Sequence, residues 1–448
     1  MADEVRRRWR NWSGEQIGRP LRIQRPRTRE GLIGDVIAAA EQGRRVKVAG
    51  SGHSFSGAAL TDGVLLDMRV LDRVLDVDRA GGRVKVEGGI TLRVLNRRLD
   101  RLGLALESLG DIDSQTLAGS ISTATHGTGT RFRNLSSQVE AVEIVSADGT
   151  LRRIGGDDAD ALAAARVGLG ALGAIYSVTL RVVTNFRIDR TDRARPLAEA
   201  LERLDELADG FDHFELYVFP HTETALCRES TRTEAPAEPS SQAAAYAQEV
   251  IVENWAAAAL ARAARHVPSA IPTLSRLAAA GAGAGRRHKL DAGFRVYASE
   301  RRVRFTEMEY AIPREHARAA VERVLEAASR RELQVAFPVE VRFVAGDDAM
   351  LSPAYGRDSA YVAVHHDPRG DWQPYFDAVA ATMADFGGRP HWGKRHRLSA
   401  AELAPLYPRF ADFRAIRAEL DPDGAFVNPY LEQVLGPVAA PSRRRRRR

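Results

Sequence analysis

Residues 108–129 read SLGDIDSQTLAGSISTATHGTG, a run dominated by small and hydroxylic side chains. A buried core does not select such residues, because every desolvated hydroxyl needs a hydrogen-bond partner. A Ser/Thr/Gly-rich surface loop accounts for the composition, but not for the interleaved Leu117, Ile121 and Ala124. The stretch reads as one built to face a polar ligand.

Upstream, Val48-Ala49-Gly50-Ser51-Gly52-His53-Ser54-Phe55 leaves a β-rich run and packs two glycines, two serines and a histidine into five positions. Such a turn exposes successive backbone N–H groups as a concave nest for a pyrophosphate, with His53 presented beside it. Gly168-Leu169-Gly170-Ala171-Leu172-Gly173 matches the GxGxxG pattern. In a dinucleotide fold, however, the glycines follow a strand and open a helix. Here a helix over Asp158 to Arg166 precedes them and a strand over Ile175 to Val183 follows, so the glycines are expected to let a turn pack closely on what lies beneath. Near the C-terminus, Arg389-Pro390-His391-Trp392-Gly393-Lys394-Arg395-His396 concentrates cations and imidazoles, which suits either an exposed segment or one facing an anion. Glu340 and Arg342 sit two apart on a predicted strand and so share a face.

The first 184 residues read as short strands punctuated by glycine, with hairpins at Ala80-Gly81-Gly82 and Asp148-Gly149 and a helix N-capped by Thr91. From about Phe186 longer strands alternate with amphipathic helices, predicting a second domain with a mostly antiparallel sheet covered by helices. Within it the pattern predicts a polar loop over 229–245, Ala-rich helices over 246–284 and a strand over 333–344.

At 448 residues the chain exceeds one hydrophobic core and predicts two or three domains of about 150 residues. Hydrophobic residues at 44% and charged residues at 28% exclude wholesale disorder. A single cysteine, Cys227, excludes an internal disulfide framework and a multi-cysteine zinc site, and fits a reducing cytoplasm. The net charge of +6 is a tail property: taking the six arginines 443–448 from the 65 basic residues leaves 59, equal to the 59 acidic ones. No window approaches the roughly 20 apolar residues of a membrane span, and no signal peptide is expected at the N-terminus.

Together these segments resemble the FAD-linked oxidoreductases of the vanillyl-alcohol oxidase superfamily, in the branch of sugar-lactone and alditol oxidases. The resemblance covers nearly the whole chain. It begins at Trp9-Arg10-Asn11-Trp12-Ser13-Gly14, passes through the GSGHSF and GDIDSQTLAGSISTATHGTG segments and HWGK, and ends at Asp421-Pro422-Asp423-Gly424-Ala425-Phe426-Val427-Asn428-Pro429-Tyr430. It implies an α+β, two-domain fold: a PCMH-type FAD-binding domain over 1–185, a substrate (cap) domain over 186–436 whose last part returns to the FAD domain, and a disordered basic tail over 437–448. It further implies covalent FAD through His53, cofactor contacts from Gly50, Ser51, Gly52, Ser54, Phe55, Ser108, Ser114, Gly119, Ser122, Thr123, Gly127 and Ile175, and no metal. Substrate contacts are implied for Ser108, Glu340, Arg342, His365, Asp367, His391 and Lys394, with Lys394, Arg342, Glu340 and His365 carrying the chemistry.

The reaction so implied moves a hydride from a sugar CH–OH to the flavin, with Lys394 or Arg342 stabilising the developing charge and Glu340 or His365 taking the hydroxyl proton. The substrate is then an aldono-1,4-lactone such as L-gulono- or D-arabinono-1,4-lactone, the alternative being an alditol. Oxygen or an electron carrier is the acceptor, and Glu107, before Ser108 where relatives carry a small residue, is placed to limit oxygen access. A reading of another class is a flavin-scaffold binding protein acting through its basic tail on RNA or acidic lipid. No specific nucleic-acid partner is expected.

Overall fold

A computed structural model of the chain describes residues 8–238, 262–263, 265–283, 287–298, 303–333 and 335–438. Arg22–Gln24 (β1), Val46–Ala49 (β2) and Val64–Asp67 (β3) make a parallel sheet in the order β1-β3-β2. Parallel strands need a crossover, and helix Arg29–Glu41 supplies it between β1 and β2. The Thr28 hydroxyl accepts the Gly31 N–H at 3.0 Å to start that helix, and Leu32, Val36 and Ala39 pack on Val46, Val64 and Leu66. The chain leaves β2 at its carboxyl end, where open parallel sheets place ligands, and runs directly into Gly50–Ser54.

Val74–Asp78 (β4), Arg83–Glu87 (β5), Val139–Val145 (β6), Leu151–Gly155 (β7) and Ala174–Arg181 (β8) form an antiparallel sheet ordered β7-β6-β8-β5-β4. Both expected hairpins are present, β4 with β5 and β6 with β7. Helix Ala159–Arg166 does precede the GxGxxG turn and β8 does follow it. A Cβ on Gly173 would lie 2.4 Å from Ile144 Cγ2 and 2.6 Å from the Val145 carbonyl, so this glycine serves close packing of the turn on β6.

The remainder is organised by eight antiparallel strands: Arg187–Pro196 (β9), His213–Val218 (β10), Thr224–Thr233 (β11), Arg287–Ala292 (β12), Thr306–Pro313 (β13), Val339–Val344 (β14), Ser359–His366 (β15) and Arg389–Pro390 (β16). Their order is β12-β9-β11-β10-β14-β15-β13-β16. Strand alternation gives this sheet two unlike faces. Leu216, Val341, Val362 and Met308 form one core with helices Ala317–Ala328 and Gln373–Asp385. The intervening residues make polar rows across the other face: Tyr217 pairs with Glu340, Glu340 with Ala363, and Ala363 with Glu309. The adjacent row pairs Glu215 with Arg342, and Arg342 with Tyr361.

The C-terminal segment returns to the first part of the chain. Phe410, Phe413, Leu431 and Val434 join the core under β5, β6 and β8. The Lys47 ammonium donates to the Gly170 carbonyl at 3.0 Å and to the Phe426 carbonyl at 3.1 Å. The Asn428 amide donates to the carbonyls of Gly57, Ala58 and Leu60 at 2.9, 3.2 and 2.8 Å.

Two local expectations are corrected. The strand expected over 333–344 begins only at Val339, residues Arg331–Leu333 forming a 3-10 turn. Residues 229–233, expected in a loop, complete β11, held in register by β9, which pairs with it over its full length. Of the Ala-rich helices expected over 246–284, Ile271–Gly283 is helical, and residues 246–261 lie outside the described residues, as do 439–448 of the basic tail. No helix among the described residues is long and apolar enough to cross a membrane.

Candidate active site

Two concavities meet between the parallel sheet and the polar face of the eight-stranded sheet. The first, of about 920 Å³, is walled by Gly50–Ser54, by Thr116, Gly119, Ser122 and Thr123 around helix Leu117–Ser122, and by Gly170, Gly173 and Ile175. Its glycines keep it open: a Cβ at Gly50 would sit 2.0 Å from Thr116 Oγ1, and one at Gly88 would sit 2.8 Å from the Ile175 carbonyl. The Phe55 N–H is taken by the Gly393 carbonyl at 2.7 Å, whereas no acceptor among the described residues meets the N–H groups of residues 51–54. A glycine-walled cleft with a run of free backbone donors fits the long, pyrophosphate-bearing FAD molecule.

His53 stands at the inner end of this cleft. Its Nε2 lies 2.7 Å from Ser114 Oγ, and its ring stacks on Trp12 with centroids 5.5 Å apart. Burial, reinforced by the Lys394 and Arg93 charges and opposed by Asp113, lowers its pKa to about 4. The imidazole is therefore neutral at ordinary pH.

The second concavity, of about 530 Å³, shares Gln115 with the first. Glu307, Glu309, Glu340, Arg342 and His365 project into it from the sheet, Lys394 and His391 from the turn after β16, and Asp111, Ile112 and His126 from the stretch 108–129. Lys394 forms an ion pair with Glu307, and its ammonium lies 5.5 Å above the Phe55 ring. Burial works to raise the Glu307 pKa, but Lys394 and His365 outweigh it and hold the carboxyl down at about 2. Burial works to lower the Lys394 pKa, and Glu307 with Glu309 reverses that and raises it. This cation is thus fixed and permanently charged. Arg342 pairs with Glu340 and meets Asp111 at 3.2 Å.

His126 meets acceptors at both ring nitrogens, the Gly127 carbonyl at 2.8 Å and Glu309 at 3.1 Å. His391, lowered to about 3 by burial, uses Nδ1 to accept the Gly393 N–H at 3.0 Å, so its proton is on Nε2. His126, Glu309 and His391 bring potential ligand atoms within 4.8 Å of one another. Within this cluster His126 bonds Glu309, and the Lys394 charge also acts on Glu309.

Most residues singled out from sequence converge here: Gly50, Ser51, Gly52, His53, Ser54, Gly119, Ser122, Thr123 and Ile175 on the first concavity, and Glu340, Arg342, His365, His391 and Lys394 on the second. Ser114 lines neither but meets His53 Nε2 through its hydroxyl. Four more do not reach either wall. Ser108 is buried and its carbonyl accepts the Gln138 amide at 3.0 Å. Phe55 is buried behind the loop under Lys394, and a Cβ at Gly127 would run into the Leu109 carbonyl at 2.3 Å. Asp367 is held by Arg265 at 3.0 Å. Glu107 lines neither concavity, and its carboxylate meets Arg181 at 3.2 Å.

Sequence reasoning missed Glu307, Glu309, His126 and Asp111. The first two carried a signal, Thr306-Glu307-Met308-Glu309-Tyr310 being the same charged/apolar alternation as Val339-Glu340-Val341-Arg342-Phe343.

Comparison with known proteins agrees with this geometry. The profile of the family described as D-arabinono-1,4-lactone oxidase matches residues 178–434, and that of an FAD binding domain matches residues 20–155. The L-gulono-1,4-lactone dehydrogenase of Mycobacterium tuberculosis is 47% identical over 96% of this chain and 99% of its own. The L-gulonolactone oxidase of Mus musculus is 35% identical over 95% of this chain and 98% of its own. Among solved structures, a solvent-stable cholesterol oxidase superposes with a TM-score of 0.79 at 18% identity, covering 96% of this chain and 97% of that one, which shows the shared vanillyl-alcohol-oxidase-like fold. A glycine-walled flavin cleft opening onto a charged pocket, and a family profile spanning more than half the sequence, place the chain in the D-arabinono-1,4-lactone oxidase family of FAD-dependent oxidoreductases.

Proposed function

We propose that the chain oxidises a CH–OH group of a sugar-derived 1,4-lactone, with L-gulono-1,4-lactone as the substrate, the compound named for its relatives from M. tuberculosis and mouse. The observation that carries this is the convergence of Lys394, the Glu340–Arg342 pair and the neutral His53 where the two concavities join at Gln115. FAD, when bound, supplies the hydride acceptor. The protein supplies the rest. Arg342, anchored by Asp111, offers donors to the ring hydroxyls and lactone oxygens. Lys394 presents a fixed positive charge where negative charge accumulates during hydride loss, in a pocket from which Phe305 helps to exclude water. Glu340 accepts the proton of the reacting hydroxyl.

His53 is the residue that would hold FAD covalently. Nε2 is engaged with Ser114 Oγ, and in the Nε2–H tautomer of the uncharged ring Nδ1 keeps the lone pair and is the nucleophilic atom. Glycines at 50, 52 and 119 with the free N–H groups of 51–54 would hold the pyrophosphate and adjoining dinucleotide. The lone Cys227 is buried, with its thiol pushed up to about 12 by burial, and so is not poised for disulfide chemistry, in keeping with a cytoplasmic enzyme.

Anaerobic mixing with L-gulono-1,4-lactone is expected to bleach the oxidised flavin spectrum, while xylitol leaves it intact. Glu340→Gln is expected to keep its flavin but lower the bleaching rate roughly a hundredfold. Reoxidation by oxygen or by an added electron carrier then identifies the acceptor. After acid denaturation, flavin fluorescence should travel with the parent polypeptide and be lost from His53→Ala. Parental bleaching by Glu340→Gln would remove the assigned base, and free flavin from the denatured parent would remove the covalent link.

A further inference from the structure

The polar face continues behind Glu340, away from the pocket. Strand pairing sets Tyr217 directly beside Glu340, and the phenol oxygen lies 3.0 Å from Glu340 Oε1 and 2.9 Å from Glu215 Oε2. Glu215 and Tyr217 line neither concavity. A phenol has one hydrogen and here faces two carboxylates. It can donate to one while accepting from the other only when that other holds a proton, which is the geometry of a relay.

We propose that Tyr217 and Glu215 relay away from Glu340 the proton that Glu340 receives from the substrate hydroxyl. The proposal rests on Glu340 being the base. The substrate O–H bond breaks and an O–H bond forms on Glu340. That proton then passes to the Tyr217 oxygen as the phenol's own hydrogen passes to Glu215 Oε2. No electrons change hands, and Glu340 is left ionised while Glu215 becomes a carboxylic acid. Burial raises the Tyr217 pKa well above its ordinary value, with Glu215 and Glu340 adding to the effect, so the two transfers run together without a phenolate.

Burial favours the acid form of Glu215, but Arg342 and Arg228 outweigh it and lower its pKa, so Glu215 rests as a carboxylate able to receive the proton. Arg228, 3.1 Å from Glu215, also donates to the Tyr217 oxygen at 3.3 Å and is shared with Asp192 on β9, and Arg342 is shared with Glu340 and with Asp111 from the 108–129 stretch. On the pocket side the charged and titratable groups that share the concavity with Glu340 and Arg342 are Asp111, His126, Glu307, Glu309, His365, His391 and Lys394. Tyr217 and Glu215 are thus positioning residues, acting through Glu340 without touching substrate.

The test is the rate of flavin reduction by L-gulono-1,4-lactone against pH in the FAD-loaded parent, Tyr217→Phe, Glu215→Gln and Glu340→Gln. Tyr217→Phe and Glu215→Gln are expected to retain flavin and to bind lactone within about twofold of the parent, yet to reduce flavin roughly tenfold more slowly. Their acid limbs should move in opposite directions. Losing the phenol removes a donor that favours the ionised base and moves the limb up, whereas losing the neighbouring negative charge moves it down. Infrared difference spectra should show a carboxylic acid band appearing on reduction of the parent and absent from Glu215→Gln. A parental rate and an unmoved acid limb in Tyr217→Phe would overturn the relay, and this variant decides the matter if Glu215→Gln does not fold. If Glu340→Gln is slow while Tyr217→Phe is not, the relay alone falls. If Glu340→Gln keeps the parental rate, the base assignment falls and the relay with it.

Discussion

Lys394→Ala is expected to lower turnover by a hundredfold or more while leaving flavin content near that of the parent. Loss of one fixed donor at a site of developing charge costs about 10²–10³ in rate. Lys394 lines the substrate pocket and not the flavin cleft, which is why cofactor retention and turnover should separate. Folding must be distinguished from chemistry, because Glu307 loses its partner and a broken buried ion pair costs about 3–5 kcal/mol. The double variant Lys394→Met with Glu307→Gln removes both charges and should recover most of that stability without recovering turnover. A double variant that regained turnover would show the lysine to be only a counter-ion for Glu307.

Acid is expected to unfold the enzyme well above the carboxylate range. Burial lowers the pKa of His213 to about 4, of His391 to about 3 and of His396 to about 4. His213 is fixed as a neutral ring, Nδ1 bonded to the Thr128 carbonyl at 2.7 Å and Nε2 accepting from Arg232 at 3.2 Å. These folded values lie below the unfolded value of about 6.5, so the stabilisation is complete above that pH and is lost as pH falls toward the folded values. Each ring contributes a slope of about 1.4 kcal/mol per pH unit. Asp347, raised by burial to about 6, and Asp421, also raised by burial, work in the opposite sense. The net expectation is a loss of roughly 1–3 kcal/mol per pH unit below pH 6.5. Thermal melts between pH 7.5 and 5 should show a steep fall in Tm, less steep in His213→Asn. A flat profile would show that the rings take up protons without unfolding.

Much of this site was legible in the sequence because its cofactor half is built from contiguous segments. The Gly50–Ser54 loop and the 108–129 stretch announce themselves by composition, and strand and helix order alone excluded a Rossmann reading of the GxGxxG at residues 168–173, although Gly170 and Gly173 do line the cofactor cleft. The substrate half was less legible. Glu307, Glu309, Glu215 and Tyr217 lie on strands whose neighbours are distant in sequence, β10-β14-β15-β13, and alternation tells which residues share a face without telling which face meets the flavin cleft. Glu340 and Arg342 escaped that ambiguity only through family resemblance. Ser108 and Gly127 belong to the same stretch yet line neither concavity, and composition does not say which of its residues do.

The C-terminal return has a consequence for biosynthesis. Residues 421–430 close upon residues 46–60 through the bonds from Lys47 to Phe426 and from Asn428 to Gly57, Ala58 and Leu60. The Gly50–Ser54 loop, among the first segments to leave the ribosome, must therefore wait unclasped until nearly the whole polypeptide has emerged. Cofactor loading is then a late event in maturation, and a nascent chain stalled before residue 420 should hold flavin weakly whatever the state of its N-terminal sheets.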